Sequence, residues 1–295
     1  MNEYHPFRSD EAKVRWTAAI KALEESTWPL DSQSAYIETS FGKTFVRSCG
    51  PESAAPLVLI HGAGGNSLMW SANIEALCKK YRTYAVDTIN DYGLSIYTRN
   101  LKNSEDYVNW LDDLFSGLKL EANINLMGVS YGGWLIAQYA LRYQNRLNKI
   151  VLLAPACTIR PIRLQFYFRQ ILMLLPFRRF KESFFSWVME DSVKNDYSGF
   201  QEMVDFLEIS MKCFKPKYSM VRPTVLDDRQ LRSIRVPTLF LVGENEKIYS
   251  PSKAIDRLNR VAPLIKKEII PKAGHDLFAV QPEIVNRKVL DFLEE

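Results

Sequence analysis

Short apolar runs recur along this chain with helical patterns between them, and that alternation is the strongest constraint on its fold. The runs cover residues 57–60, 83–86, 124–127 and 149–153, and later 238–242 and 266–270. Continuous apolar runs of about four to eight residues are what strands covered on both faces look like. Helical patterns lie between most of them, at 67–80, 104–119, 131–142, 251–261 and 282–293. Strands alternating with helices predict a mostly parallel sheet with right-handed crossovers. A hairpin at 35–40 and 44–49, turning at Phe41-Gly42-Lys43, makes the first edge antiparallel. An amphipathic helix over 10–27 precedes it, capped by Ser9 or Asp10 and carrying Trp16, Ile20 and Leu23 on one face.

Composition narrows the class further. With 295 residues, 47% of them hydrophobic and 24% charged, the chain can bury a sizeable core and is not disordered. Its 38 basic residues are nearly balanced by 34 acidic ones, and a net charge of +4 is too small to imply a nucleic-acid partner. Glu3, Asp10 and Glu11 interrupt any signal peptide. The uncharged stretches 53–74 and 122–141 are broken by glycines and by Asn, Ser or Gln, so no stable membrane insertion is expected. Cys49, Cys78, Cys157 and Cys213 are sparse and not at metal-ligand spacing. They read as reduced core thiols of a soluble, cytoplasmic protein.

The alternation stops between Pro155 and about Leu231. Aromatic-rich helical patterns at 163–175, 180–189 and 200–213 take its place. Residues 156–231 therefore read as a helical lid inserted between two parts of one core, 1–155 and 232–295.

The strongest local signal is Gly128-Val129-Ser130-Tyr131-Gly132, a G-x-S-x-G with a strand before it and a helix after it. A nucleophile on so sharp a turn has strained dihedrals, and its neighbours must be small for the backbone to close up. Serine also needs a base. The chain has three histidines, and His275 follows the last strand, at the carboxyl-end edge of the sheet where Ser130 also lies. His5 precedes the first helix, and His61 opens a glycine-rich turn. The base in turn needs a carboxylate. Glu246, in the loop after strand 238–242, is the expected partner; Glu244, Asp276, Asp227 and Asp228 are its rivals. The order Ser130, Glu246, His275 matches the Ser…Asp/Glu…His order of one hydrolase fold. Backbone N–H groups of His61-Gly62-Ala63-Gly64-Gly65-Asn66 can point into the same site as oxyanion donors. The turn lacks the glycine spacing of a nucleotide loop.

The chain resembles the α/β-hydrolases, and among them the Bacillus carboxylesterases of the naproxen-esterase type. The resemblance rests on Trp28-Pro29, Phe41-Gly42-Lys43-Thr44, and Tyr81-Arg82-Thr83-Tyr84-Ala85-Val86-Asp87. It continues in Gly243-Glu244-Asn245-Glu246-Lys247-Ile248-Tyr249 and Ala273-Gly274-His275. It implies Ser130 as nucleophile, His275 as base, Glu246 as acid, and oxyanion N–H groups at Ala63 and Tyr131. Tyr131 replaces the Leu or Met more frequent after the serine, and the small residues of the turn after Gly62 replace bulkier ones.

The expected activity is hydrolysis of small to medium apolar carboxylic esters through an acyl-enzyme, with no metal or organic cofactor. A lipase, an amide or C–C bond hydrolase, and a slow-turnover ligand sensor or partner-binding protein are the alternatives on the same scaffold. Met69, Trp70, Trp134 and Phe166 are candidate pocket residues, although core packing explains the first three equally well. In the lid, 156–181 carries six basic residues and no acidic one, interleaved with Phe and Leu. Because apolar residues surround these helices without a clean polar face, they are expected to cover the core. The alternative is a surface that touches anionic lipid.

Overall fold

The protein is described by a computed structural model over residues 6–175, 177–215 and 220–295; His5 lies outside the described residues. Helix α1 (Asp10–Thr27) leads into the hairpin β1 (Gln33–Thr39) and β2 (Gly42–Cys49). Strand β3 (Pro56–Ile60) and helix α2 (Ser71–Cys78) follow, then β4 (Arg82–Val86), the short β5 (Ile96–Tyr97) and α3 (Ser104–Gly117). Strand β6 (Ile124–Val129), helix α4 (Tyr131–Tyr143) and strand β7 (Leu147–Leu153) come next. Among the described residues, five helices then intervene: α5 (Leu164–Met173), α6 (Arg178–Val188), α7 (Glu190–Asn195), α8 (Tyr197–Cys213) and α9 (Asp228–Ser233). The chain closes with β8 (Thr238–Gly243), α10 (Pro251–Val261), β9 (Lys266–Ile270), α11 (Leu277–Val280) and α12 (Pro282–Glu294).

The strands form one sheet in the order β1-β2-β4-β3-β6-β7-β8-β9, with β5 on β2. Pairing is antiparallel at β1/β2 and β2/β4 and parallel from β4 through β9. Helices cover both faces, so β3, β6, β7 and β8 are apolar on both sides. No helix among the described residues is long and apolar enough to cross a membrane.

Two expectations are corrected and a third is refined. Strand β9 is an edge rather than a strand covered on both faces, with Lys266, Glu268 and Ile269 exposed. Cys49 and Cys78 are joined in a disulfide rather than reduced, while Cys157 and Cys213 are free and buried. The β2/β4 register pairs Cys49 with Thr83, five residues beyond the end of α2, and leaves the two cysteine Cα atoms 5.7 Å apart. Finally, α5 covers the core with Phe166 and Met173 as expected, but it also leaves Leu164, Phe168 and Ile171 exposed.

Helix α1 is held to the sheet by an ion pair. Arg47 of β2 is 2% exposed, and its guanidinium grips both carboxylate oxygens of Glu24. Trp16 on the same helix donates its indole N–H to Ser210 Oγ of α8 at 2.9 Å.

Candidate active site

The chemistry-bearing residues collect at the carboxyl ends of the parallel strands. Ser130 sits between β6 and α4 with φ 53° and ψ −115°, a conformation that costs of order 1–3 kcal/mol for a residue with a Cβ. Its surroundings hold it there. The Ser130 N–H donates to Leu153 O at 2.9 Å, and its carbonyl accepts from Ala156 N at 2.9 Å and Trp134 N at 3.1 Å. A Cβ on Gly132 would lie 2.2 Å from Ile60 O, so only glycine lets α4 begin against the end of β3. On the other side, a Cβ on Gly62 would lie 3.3 Å from Ser130 Cβ, which presses the glycine-rich turn directly against the serine.

That turn is pinned by His61. Its Nε2 accepts from Thr88 N at 2.9 Å, so Nδ1 carries the proton and donates to Gly62 O at 2.7 Å. With both ring nitrogens used, His61 is a scaffold residue. Within the turn, Gly64 N–H donates to Asp91 Oδ2 at 3.0 Å and Gly65 N–H to Gly62 O at 3.2 Å. The Ala63 N–H has no acceptor among the described residues, and Tyr131 N–H is one of the unpaired donors in the first turn of α4.

His275 lies in the loop between β9 and α11, with its side chain 12% exposed. Its Nδ1 is 2.7 Å from Glu246 Oε2, and the other Glu246 oxygen accepts Ile248 N–H at 2.7 Å. Burial works to lower the His275 pKa. The charge and hydrogen bond of Glu246, together with the charge of Asp276, outweigh it, and the net displacement is upward. No hydrogen bond joins Ser130 Oγ to His275 Nε2 in this structure. Such contacts are often long before substrate arrives.

The rival carboxylates are engaged elsewhere. Glu244 accepts Lys272 N–H at 3.1 Å; Asp227 caps α9; and Asp228 pairs with Arg257 at 2.7 Å. Asp276 is buried and accepts from Ser192 Oγ of α7, while its Oδ1 has no partner among the described residues. Asn245 Nδ2 donates to Asp191 Oδ2 of α7 at 2.9 Å. These two bonds tie α7 to the loops bearing His275 and Glu246. Sequence spacing carries no sign of them, because α7 lies more than fifty residues from either loop.

Of the candidate pocket residues, Met69 lies at the turn, where its sulfur accepts Gly62 N–H at 3.5 Å. Phe166 of α5 is half-buried and meets the Phe184 ring edge-on at 5.3 Å. Trp70 and Trp134 are fully enclosed in the core, against Phe278 and Tyr131 respectively, so they form no open pocket wall. Tyr131 is itself buried, and its hydroxyl donates to Val221 O at 2.8 Å, fastening α4 to the segment between α8 and α9. Burial pushes its pKa upward, so it stays a neutral donor.

Residues 57–288 match the alpha/beta hydrolase family. The chain belongs to that family. This alpha/beta hydrolase is 38% identical over 274 residues to the uncharacterized carboxylesterase nap of Bacillus subtilis strain 168, covering 90% of this chain and 88% of the relative. It is 36% identical over 270 residues to carboxylesterase YbfK of the same strain, covering 91% and 90%. Among solved structures, the naproxen esterase (carboxylesterase NP) of B. subtilis superposes with a TM-score of 0.87 at 36% identity, over 96% of this chain and 98% of the other.

Proposed function

We propose that this carboxylesterase hydrolyses small to medium apolar esters through Ser130, His275 and Glu246 and a covalent acyl-enzyme. The observation that carries the reading is the strained Ser130 at the carboxyl ends of the strands, where the Glu246–His275 pair also lies. Ser130 Oγ attacks the ester carbonyl carbon as His275 Nε2 takes its proton. The negative charge that forms on the carbonyl oxygen is met by the N–H groups of Ala63 and Tyr131. His275 then returns the proton to the leaving alkoxide. Water attacks the acyl-enzyme, with His275 again as base, and releases the carboxylic acid and Ser130. Glu246 keeps the Nδ1 proton facing itself, so Nε2 is free to accept, and it offsets the imidazolium charge. Every step uses this chain's own groups and water.

The names of the relatives support the ester substrate. Met69 beside the turn and the half-buried Phe166 of α5 supply apolar contact for the acyl or alcohol part. We further propose that residues 156–231 act as a lid over a core formed by 1–155 and 232–295.

The test is hydrolysis of p-nitrophenyl acetate, butyrate, octanoate and palmitate by the protein and by Ser130→Ala. Activity on the shorter esters that falls by about 10⁶ in the variant is expected. Preference for palmitate would move the assignment to a lipase. Activity unchanged in Ser130→Ala would sink the nucleophile.

A further inference from the structure

Helix α5 is apolar on two sides, and one of them meets nothing among the described residues. Phe166 and Met173 lean on the core. On the other side Leu164, Phe168, Ile171 and Leu175 recur at helical spacing. Leu164 is 84% exposed, Phe168 64%, Ile171 66% and the neighbouring Leu174 70%. A contiguous apolar stripe of this kind marks an interaction surface, unlike single exposed side chains.

The charge around the stripe indicates what covers it. Residues 156–181 contain six basic side chains and no acidic one. Arg178 is neutralised by Glu182 and Asp205. The others nearest the stripe are bonded without carboxylates. Arg163 donates to Lys247 O at 3.5 Å, Arg169 to the Ser183 hydroxyl at 3.3 Å, and Arg179 lies over the Phe177 and Phe180 rings. Where α5 begins, Arg160, Arg163 and Leu164 share a cavity of about 390 Å³ with Tyr249, Ser250 and Lys253 at the start of α10. Asp256 is an acidic residue of the adjoining hollow, where it faces Arg160, Lys253, Arg257 and Arg260.

A second copy of this chain would bring the same cations against these. An anionic partner satisfies both features at once. We propose that α5 is a docking face for an anionic phospholipid surface. The apolar stripe lies at the level of the acyl chains, and Arg160, Arg163 and Lys253 receive headgroup phosphates. Binding is read without turnover, so it stands or falls separately from the esterase reading.

The experiment is flotation of the full chain with vesicles of phosphatidylcholine alone and of phosphatidylcholine mixed with phosphatidylglycerol, at low and high salt. Binding to the mixed vesicles about tenfold or more tighter than to neutral ones is expected, and high salt should remove most of that difference. The variants are Leu164→Ser/Phe168→Ser/Ile171→Ser and Arg160→Gln/Arg163→Gln. All five side chains lie at the surface or the cavity rim, and an unchanged Tm verifies the fold. Each variant should weaken binding to mixed vesicles about tenfold or more. Absence of binding to either vesicle, equal binding to both, or binding that survives loss of the stripe would overturn the proposal. A dimer in sedimentation that the triple serine variant dissolves would assign the face to a second copy instead.

Discussion

Glu246→Gln keeps the shape of a buried side chain and removes its charge. In the native protein Oε2 lies 2.7 Å from His275 Nδ1, and the carboxylate side chain is 0% exposed. Gln can still accept Ile248 N–H through its amide oxygen, which leaves the amide nitrogen facing Nδ1. That nitrogen only donates, so it favours the ring with its proton on Nε2, which cannot take the proton of Ser130. The charge loss adds to this. Two unit charges about 4 Å apart at an effective dielectric near 20 attract by about 4 kcal/mol. On the proposed mechanism, the imidazolium formed in the transition state loses that attraction, which corresponds to roughly 10³ in rate. With the tautomer effect, kcat/KM at the alkaline plateau is expected to fall by about 10³ to 10⁴.

The pH profile gives a second reading of the same variant. As the proposed base, His275 must be neutral to act, so activity is expected to be lost as pH falls through its pKa. Burial alone would lower that pKa, but Glu246 and Asp276 hold it above the ordinary histidine value, so the native acid limb is expected to lie correspondingly high. In Glu246→Gln burial is less opposed, and the limb moves to lower pH. Hydrolysis of p-nitrophenyl butyrate across the pH range measures both effects. A plateau within about tenfold of native, or an acid limb that stays in place, would refute the role given to Glu246.

Three further outcomes follow from the packing. Gly132→Ala puts a methyl 2.2 Å from Ile60 O; the backbone must move, and a loss of about 1–3 kcal/mol is expected in urea titration. Tyr131→Phe deletes the bond to Val221 O; it should cost about 1 kcal/mol, seen as a lower Tm, while kcat survives within about tenfold because the proposed donor is the backbone N–H. Glu24→Ala strands the buried Arg47 guanidinium; a loss of about 3 kcal/mol is expected, and a urea midpoint unchanged from native would show that water solvates Arg47 well enough to dispense with its partner.

Much of the frame was legible in the sequence because its signals are local. Apolar runs with helical patterns between them require strands buried on both faces, and the sheet from β3 to β8 follows. The G-x-S-x-G flanks put Ser130 on a strand-to-helix turn, since small neighbours are a steric need of that turn alone. What depends on register was out of reach. Glu246 was the expected partner of His275 on position and chain order, yet the bonds that set it apart from Glu244, two positions away, are read only from the folded loop, which sends Glu244 to Lys272 N–H. Cys49 and Cys78 meet because β2 pairs with β4 beside the end of α2, a relation that 29 residues of separation do not encode. The strand pattern at 266–270 looked like its neighbours, yet nothing pairs beyond it among the described residues, so β9 is an edge. The bare side of α5 is of the same kind. Periodicity states that a face is apolar, and only the positions of the surrounding elements decide whether anything lies against it.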